Sequence, residues 1–390
     1  MSIDFCELAT RYVPELRTRG TEIDAHRALP QDLADRLAAD GFYRLCTPTE
    51  LGGAGASPQV LAEVCEILAT GNGSTAWCVF IGATSQYMFP AVSTRLLQEM
   101  LENPNVITSG VFAYSGTATR LSDAPSPKWR IDGRWDWGSG CHNAEWISGG
   151  VVLCNQDGEP IPDRHQRPTE ARAFFRPEEI TILDNWHTSG LRGSGSNSYV
   201  VQDLDLSDYR IATVEALRGS PLADLPVYRF PRFGYLALPI GAIALGMARD
   251  SIDEALEVAK GKTPTGSSRT LAGRPAFHRQ VATADASLRA ARLAFYAAIQ
   301  DAWREAHQQI GTLETRRLLR TSTVHAVTTS IEVIDLMYTT VGGTSVFEES
   351  PLQRHFRDVH VASQHMMVAE PVMELAGRVM SAIDDTALGL

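Results

Sequence analysis

The order of hydrophobic patterns along the chain constrains its fold more than any single motif does. Helical spacing dominates the first hundred residues, as in Leu61, Val64 and Leu68. Short β-rich runs such as WRIDGRWDW and SYVVQDLDL follow, separated by glycine, proline, aspartate and asparagine, before long helical stripes return. We therefore predict a multi-domain α+β protein with an N-terminal helical domain (1–105), a middle β domain (106–220) and a C-terminal helical bundle (221–390).

Charge and apolar content remove several classes of partner. The net charge is −11 and the 35 lysines and arginines are scattered, which disfavours nucleic acid and anionic membranes. The most apolar uncharged stretch, 233–248, is 16 residues long and contains Pro239, so it is shorter than the roughly 20 residues of a bilayer span. No secretory signal is visible, and six cysteines without a CxxC pair fit a reducing compartment, which predicts a cytoplasmic protein.

Several common site motifs are missing from the sequence. The GGAG at Gly52 and the GSGS at Gly193 lack the third glycine of a dinucleotide fingerprint, and there is no Walker, GxSxG or HExxH motif. His355, His360 and His365 are five residues apart, and on a helix that step turns them roughly 140° from one another. They do not share one helical face, so no metal site is predicted.

Three segments carry residues suited to chemistry. WRIDGRWDWGSGCHNAEW, from Trp129, places four tryptophans beside glycine and serine, which suits a flat aromatic cofactor or simply a β core. The segment from Asn185, NWHTSGLRGSGSNSYVVQDL, offers hydroxyls and backbone N–H groups for a phosphate or flavin edge, as ordinary turns also do. The third, from Val341, has a Gly-Gly turn and an Arg-Asp pair followed by two histidines, either of which is structural or a general base.

Together these segments resemble the acyl-CoA dehydrogenase superfamily over nearly the whole chain. The residues that carry the resemblance are, in chain order, Asp132, Gly133, Arg134, Trp137 and Ser139; Trp186, Gly190, Leu191, Arg192 and Gly193; Arg269 and Gln280; and Gly342, Gly343, Pro351, Arg354, Arg357 and Asp358. The resemblance implies an N-terminal helical domain, a middle β-barrel or sandwich and a C-terminal four-helix bundle. It also implies a homotetramer with flavin between the β domain and the bundle.

One departure from the family pattern changes the expected reaction. Dehydrogenases of this family abstract a proton with a glutamate in an IYEGT-like run, or with one near the start of the bundle. This chain has VHVASQHMM and RFPRFGYLALP there, without a carboxylate, and His365 stands close to the first place. The substitution resembles two-component flavin-dependent monooxygenases, the aromatic hydroxylases and amino-sugar N-oxygenases.

That resemblance implies a reaction and its partners. A separate NAD(P)H:flavin reductase supplies reduced FMN or FAD, which reacts here with O₂ to a C4a-hydroperoxide and hydroxylates a small phenolic or indolic substrate. Four alternatives stay open: an acyl-CoA dehydrogenase or oxidase, an oxygenase acting on an acyl-CoA thioester, an amino-sugar N-oxygenase, and a family member that only binds flavin or a partner.

The resemblance also implies site residues. The base is His365, with His360 and His142 as alternatives, and Ser139 hydrogen-bonds flavin N5 or the peroxide. Residues expected to hold the flavin are Trp137, Ser139, Trp186, Ser194, Ser196, Arg269, Gln280, Gly342 and Gly343. Because water destroys a flavin hydroperoxide, the pocket should be apolar and closed, with substrate contacts from Phe112, Tyr87, Tyr235 and Met366.

Overall fold

A computed structural model describes residues 3–123, 127–383 and 389–390. The N-terminal part is helical, and side-chain caps begin several of its helices, since Ser57, Asn72 and Ser93 each accept a first-turn backbone N–H. The helices are α1 (Phe5–Thr18), α2 (Gly20–His26), α3 (Gln31–Ala39), α4 (Pro58–Ala69), α5 (Gly73–Ser85) and α6 (Thr94–Leu101).

The middle part is one seven-stranded mixed sheet. Its strands are β1 (Thr108–Arg120), β2 (Lys128–Trp135), β3 (Trp146–Cys154), β4 (Glu170–Phe175), β5 (Thr181–Ile182), β6 (Tyr199–Ser207) and β7 (Ile211–Thr213). They lie in the order β5-β6-β2-β1-β3-β4-β7, in which β1 and β3 are parallel and the other pairs antiparallel. The predicted β character of this part is confirmed.

Strand β1 carries a bulge that matters for the site. Val111 lies opposite Gly149 and Tyr114 opposite Gly150, so Phe112 and Ala113 have no partners of their own in β3. A Cβ on Gly150 would lie 2.5 Å from the Ala113 carbonyl oxygen, so only glycine fits there. Bulges of this kind redirect side chains out of strand alternation.

Long helices return after the sheet, as the sequence predicts. The helices of this part are the short α7 (Val214–Arg218) and α8 (Pro226–Arg229), followed by α9 (Arg232–Gly261), α10 (Pro275–Ala306), α11 (Leu313–Val341), α12 (Pro351–Ala362) and α13 (Pro371–Met380). Helices α9 to α12 pack together as the bundle, and the apolar run of α9 is its buried centre. The overall α+β fold class is confirmed, while the division at residues 105 and 220 stays a prediction. In the described residues, no helix is both long and apolar enough to cross a membrane.

Helix α12 joins the bundle to the loop between β5 and β6. Asp358 Oδ1 accepts the backbone N–H of Leu191 at 2.6 Å, and burial raises the pKa of this carboxyl to about 6. Gly190 lies so close that a Cβ there would be 2.2 Å from the Arg357 carbonyl oxygen. Arg357 in turn donates to Asp24 at the end of α2 (3.0 Å). One helix therefore fixes both the loop and the N-terminal part.

All six cysteines lie in the described part and are free thiols. Burial raises the pKa of Cys6, Cys46 and Cys141 to about 12. The same cause raises the pKa of the other three thiols, which are Cys65, Cys78 and Cys154.

Candidate active site

A row of buried hydroxyl groups connects α5 to the loop before β6. The Trp77 Nε1–H donates to Ser139 Oγ at 3.0 Å, and Ser139 Oγ lies 2.6 Å from Ser196 Oγ. Ser196 Oγ lies 2.6 Å from Ser194 Oγ, which donates to the Leu191 carbonyl at 2.7 Å. We call these five groups the hydroxyl chain. It brings together three predicted site residues, Ser139, Ser194 and Ser196.

The hydroxyl chain has a fixed direction. The Trp77 indole can only donate and the Leu191 carbonyl can only accept. The four contacts need four protons, and the indole N–H and the three serine hydroxyls supply one each. Every contact is a hydrogen bond only if each group donates to the next group toward Leu191. The Ser139 proton is thus committed to Ser196. One lone pair of Ser139 Oγ remains, and it can accept a hydrogen bond from a bound donor.

Two loops hold the hydroxyl chain in place. Gly140 N–H donates to the Ser194 carbonyl (2.9 Å) and Gly138 N–H to the Asn197 carbonyl (3.0 Å). The Ser139 carbonyl accepts the Ser109 hydroxyl of β1 at 2.7 Å. The loops bend through left-handed backbone conformations, with φ of 71° at Gly140 and 47° at Leu191. The second of these is a non-glycine residue held by Asp358.

His365 lies beside the indole that begins the chain. It follows α12 in a turn, and its ring meets the Trp77 ring edge-on with centroids 5.8 Å apart. Burial first, and then the positive charge of Arg320, lowers the pKa of His365 to about 4, so the imidazole is neutral at neutral pH. Nδ1 accepts the Met367 backbone N–H at 3.2 Å, which leaves the proton of the neutral ring on Nε2.

The other two candidate histidines lie elsewhere. His360, near the end of α12, pairs with Asp335 of α11 at 3.1 Å and packs against Phe356. His142 is exposed, and its Nε2 lies 3.0 Å from Asn197 Oδ1. It lines a cavity of about 310 Å³ together with His26, Arg27, Ala28, Leu29, Gln31, Asn143, Asp184 and Asn197. Of the three histidines, His365 is the one placed against the hydroxyl chain.

The predicted flavin contacts fall into two groups. Trp186 joins the hydroxyl chain, because its Nε1–H also donates to the Leu191 carbonyl (3.0 Å). Arg269, Gln280, Gly342 and Gly343 lie at the distal end of the bundle, where α9 and α11 end. Lys262 joins the two loops there, since its backbone carbonyl accepts from Leu271 (2.7 Å) and its ammonium donates to Thr344 (2.7 Å). Nothing in the described chain brings this end to the serines.

The four predicted substrate contacts, with Trp137, divide in the same way. Tyr87 and Tyr235 are buried, with ring centroids 5.4 Å apart, and Phe112 is half-buried at the β1 bulge. Trp137 and Met366 are 72% and 75% exposed, so on this chain they do not close an apolar wall. The reason is local: Trp137 follows the end of β2 and has a left-handed φ of 63°, and Met366 lies in a turn after α12.

Sequence reasoning missed Trp77. It lies outside the three segments singled out for chemistry and is 62 residues before its partner Ser139. The one feature of the sequence that could have indicated Trp77 is its place in the first turns of a helix that Asn72 caps. Two buried arginines, Arg172 and Arg320, and the half-buried Arg232 were also missed.

Comparison with known proteins places these features in a family context. The family models described as acyl-CoA dehydrogenase, N-terminal and C-terminal domain, match residues 6–95 and 238–370. Indole-3-acetate monooxygenase from Pseudomonas putida is 30% identical over 93% of this chain and 89% of its own. The flavin-dependent monooxygenase oxygenase subunit HsaA of Mycobacterium tuberculosis is 29% identical over 90% and 89%. XiaF from Streptomyces, solved with FADH2 and glycerol, has the same fold, with a TM-score of 0.87, 24% identity and 98% and 96% coverage.

Proposed function

This chain belongs to the acyl-CoA dehydrogenase superfamily, in its branch of two-component flavin-dependent monooxygenases, and from that premise we propose residue roles and a substrate. It is an oxygenase component that uses reduced flavin and O₂ to hydroxylate an aromatic compound. The substrate we propose is a phenol or an indole. The observation that carries the proposal is the directed hydroxyl chain, which begins at the indole packed against His365.

The residues fit a reduced flavin. Reduced flavin differs from the oxidised form in carrying a proton on N5, and Ser139 Oγ has a lone pair to accept from such a donor while its own proton is held by Ser196. Trp186, Ser194 and Ser196 border the same place. We further propose that Arg269, Gln280, Gly342 and Gly343 contact the flavin from the distal end of the bundle of a neighbouring copy.

The proposed mechanism assigns each residue a defined task. When bound, reduced flavin supplies the electron pair that activates O₂. Ser139 orients it, and the buried rings of Tyr87 and Tyr235 with Phe112 exclude water. His365 takes the phenolic O–H or indole N–H proton at Nε2, which makes the aromatic ring carbon nucleophilic. That step needs the His365 tautomer with its proton on Nδ1, so the hydrogen bond that Nδ1 accepts from the Met367 backbone N–H (3.2 Å) is lost.

A dehydrogenase reaction does not fit this site. Dehydrogenases of the superfamily abstract a carbon-bound proton with a carboxylate, whereas the charge that acts on His365 in the described structure is that of Arg320. The relatives are monooxygenases, in agreement. No feature of the described residues favours the N-oxygenase alternative, whereas the packed rings of Tyr87 and Tyr235 suit an aromatic substrate.

The proposal extends to partners and place of action. As an oxygenase component the chain depends on a separate reductase, and we propose that this is an NAD(P)H:flavin reductase. We also propose a homotetramer in the cytoplasm. Exposed apolar side chains on the bundle, Leu293 on α10 and Phe347 after α11, support burial between copies. Light scattering of the purified protein should give a particle of four chains, and a monomer would contradict the proposal.

The test of the function uses the whole protein with chemically reduced FMN or FAD, O₂ and a panel of phenols and indoles. We expect a hydroxylated product from at least one of them. His365→Ala should oxidise the flavin but release H₂O₂ in place of product. His325→Ala, an exposed histidine of α11, is the matched control and should behave as the wild type. Flavin oxidation that yields only H₂O₂ with every compound would refute the function.

A further inference from the structure

Two buried arginines near the site, Arg172 and Arg320, and the half-buried Arg232 have no acidic partner among the described residues. Arg172 of β4 is 4% exposed; its Nη1 donates to Ser148 Oγ at 2.9 Å, and its Nη2 has no hydrogen-bond partner. The Nε atoms of Arg232 and Arg320 are likewise buried and unpartnered. Among the residues that the structure describes, none of these three guanidinium groups forms an ion pair with a carboxylate. Buried charges of this kind cost stability unless an anion meets them.

Two of these guanidinium groups border the same aromatic ring. Arg172 lies over the Phe112 ring at 3.6 Å from its centroid, and Arg232, in the first turn of α9, lies 5.9 Å from it. Desolvation by burial lowers the pKa of Arg172 to about 10, and the positive charge of Arg232 acts in the same direction, so Arg172 is still a cation at neutral pH. The β1 bulge is what turns Phe112 toward this pair.

The paired cations adjoin the substrate wall and the base. The positive charge of Arg232 also acts on Tyr87, whose ring packs against Tyr228 and Tyr235. Arg320 donates to the Phe233 carbonyl next to Arg232 (3.3 Å), and it is the cation that acts on His365. Arg232 therefore neighbours both Phe112 and Tyr87, and Arg320 links the start of α9 to the surroundings of His365.

We propose that Arg172 and Arg232 bind the carboxylate of the substrate, which makes the substrate an aromatic carboxylic acid. The inference rests on the proposed function and narrows it. The orphaned N–H groups, Arg172 Nη2 and Arg232 Nε, donate to the carboxylate oxygens, and Phe112 packs beside the ring that bears the acid. A phosphate of the flavin offers the same anionic oxygens, but the two arginines lie among aromatic walls rather than beside the serines of the hydroxyl chain.

The experiment measures binding of matched acids and amides to the full-length protein, anaerobically, with and without reduced FMN. The probes are indole-3-acetate with indole-3-acetamide, and 4-hydroxyphenylacetate with 4-hydroxyphenylacetamide. The variants are Arg232→Gln and Arg172→Gln, and the control is Arg249→Gln, an arginine on the outer part of α9 that pairs with Asp253 and Asp285. If Arg172→Gln does not fold, the binding of acids and amides to Arg232→Gln tests the inference by itself.

The expected result is a preference of the wild type for the acid over its amide. Each site variant should weaken acid binding by about 10- to 100-fold, the range for hydrogen bonds to charged groups, and change amide binding less than twofold. The control should change neither. Equal affinity of the wild type for acid and amide would overturn the inference. Variants that weaken the binding of FMN, but not the binding of riboflavin or of the acid, would overturn it too, because the bound anion would then be the flavin phosphate.

The two proposals fail in different ways. A protein that hydroxylates the amides and neutral indoles but shows no preference for acids retains its proposed function and loses the carboxylate site. A protein that binds and hydroxylates no aromatic compound in the presence of reduced flavin loses both.

Discussion

Replacing Ser196 with alanine interrupts the hydroxyl chain at its centre. The change removes two buried contacts, each 2.6 Å long, with Ser139 and Ser194. A buried hydrogen bond contributes roughly 0.5–1.5 kcal/mol net, so the free energy of unfolding should fall by about 1–3 kcal/mol. The larger consequence concerns the direction in which the Ser139 hydroxyl donates. Without Ser196 the hydroxyl has no acceptor in the chain, so it is free to donate its proton to a bound ligand.

That change of direction predicts altered flavin preference. In the wild type Ser139 Oγ accepts from a bound N–H, which favours reduced flavin. In Ser196→Ala the Ser139 hydroxyl donates equally well to the unprotonated N5 of oxidised flavin, so the preference for the reduced form should fall about tenfold, the effect of one hydrogen bond. Anaerobic titrations of reduced and oxidised FMN, followed by tryptophan fluorescence, measure both dissociation constants.

The matched control is Ser198→Ala. Ser198 lies two residues further along the same loop, is equally buried and also makes two side-chain contacts, with Asn185 and Asp136, but it stands outside the hydroxyl chain. This variant should lose comparable stability and keep the flavin preference. If Ser196→Ala lost stability but bound the two flavin forms in the wild-type ratio, the argument from proton direction would be refuted.

Three further predictions concern His365 and the joint at Gly190. His365→Ala should lower product formation by about 10²- to 10⁴-fold in a turnover assay while flavin oxidation continues, and full-rate hydroxylation would exclude it as the base. Between pH 6.5 and about 4, His365 is protonated in the unfolded chain but not in the folded one, so the free energy of unfolding should decrease as the pH is lowered through this range. The decrease should be less steep in His365→Gln, and denaturant titrations at several pH values measure it. Gly190→Ala should destabilise the protein by roughly 1–3 kcal/mol in thermal unfolding, whereas Gly219→Ala, with nothing closer than 3.6 Å, should be near neutral.

The sequence predicted the order of helical, β and helical parts because each has its own hydrophobic period. The family resemblance implies Ser139, Ser194 and Ser196 as site residues; the structure brings their hydroxyls together, and their role at the site stays a prediction. Local patterns could not reveal the direction of their hydrogen bonds. That direction depends on Trp77, an indole on a helix 62 residues away from Ser139, which only tertiary packing brings to the loop.

Orientation explains the other differences. The sequence predicts a helical His365, but α12 ends at Ala362, and the ring of His365 in the following turn meets the ring of Trp77. Trp137 lies in the predicted motif, yet its left-handed backbone turns the ring to solvent. Arg172 alternates in β4 as an ordinary strand residue, so its burial without a carboxylate becomes evident only when the sheet is assembled.

Five of the six thiols, all but Cys6, are buried, and this burial has a consequence for the lifetime of the enzyme. A monooxygenase that turns over without product releases hydrogen peroxide at its own active site, and peroxide attacks thiolates far faster than thiols. Cys78 and Cys141 are in the two segments that carry Trp77 and Ser139, where the oxidant is most concentrated. Because burial raises the pKa of both well above neutrality, almost none of either is ionised, and the catalyst withstands its own by-product.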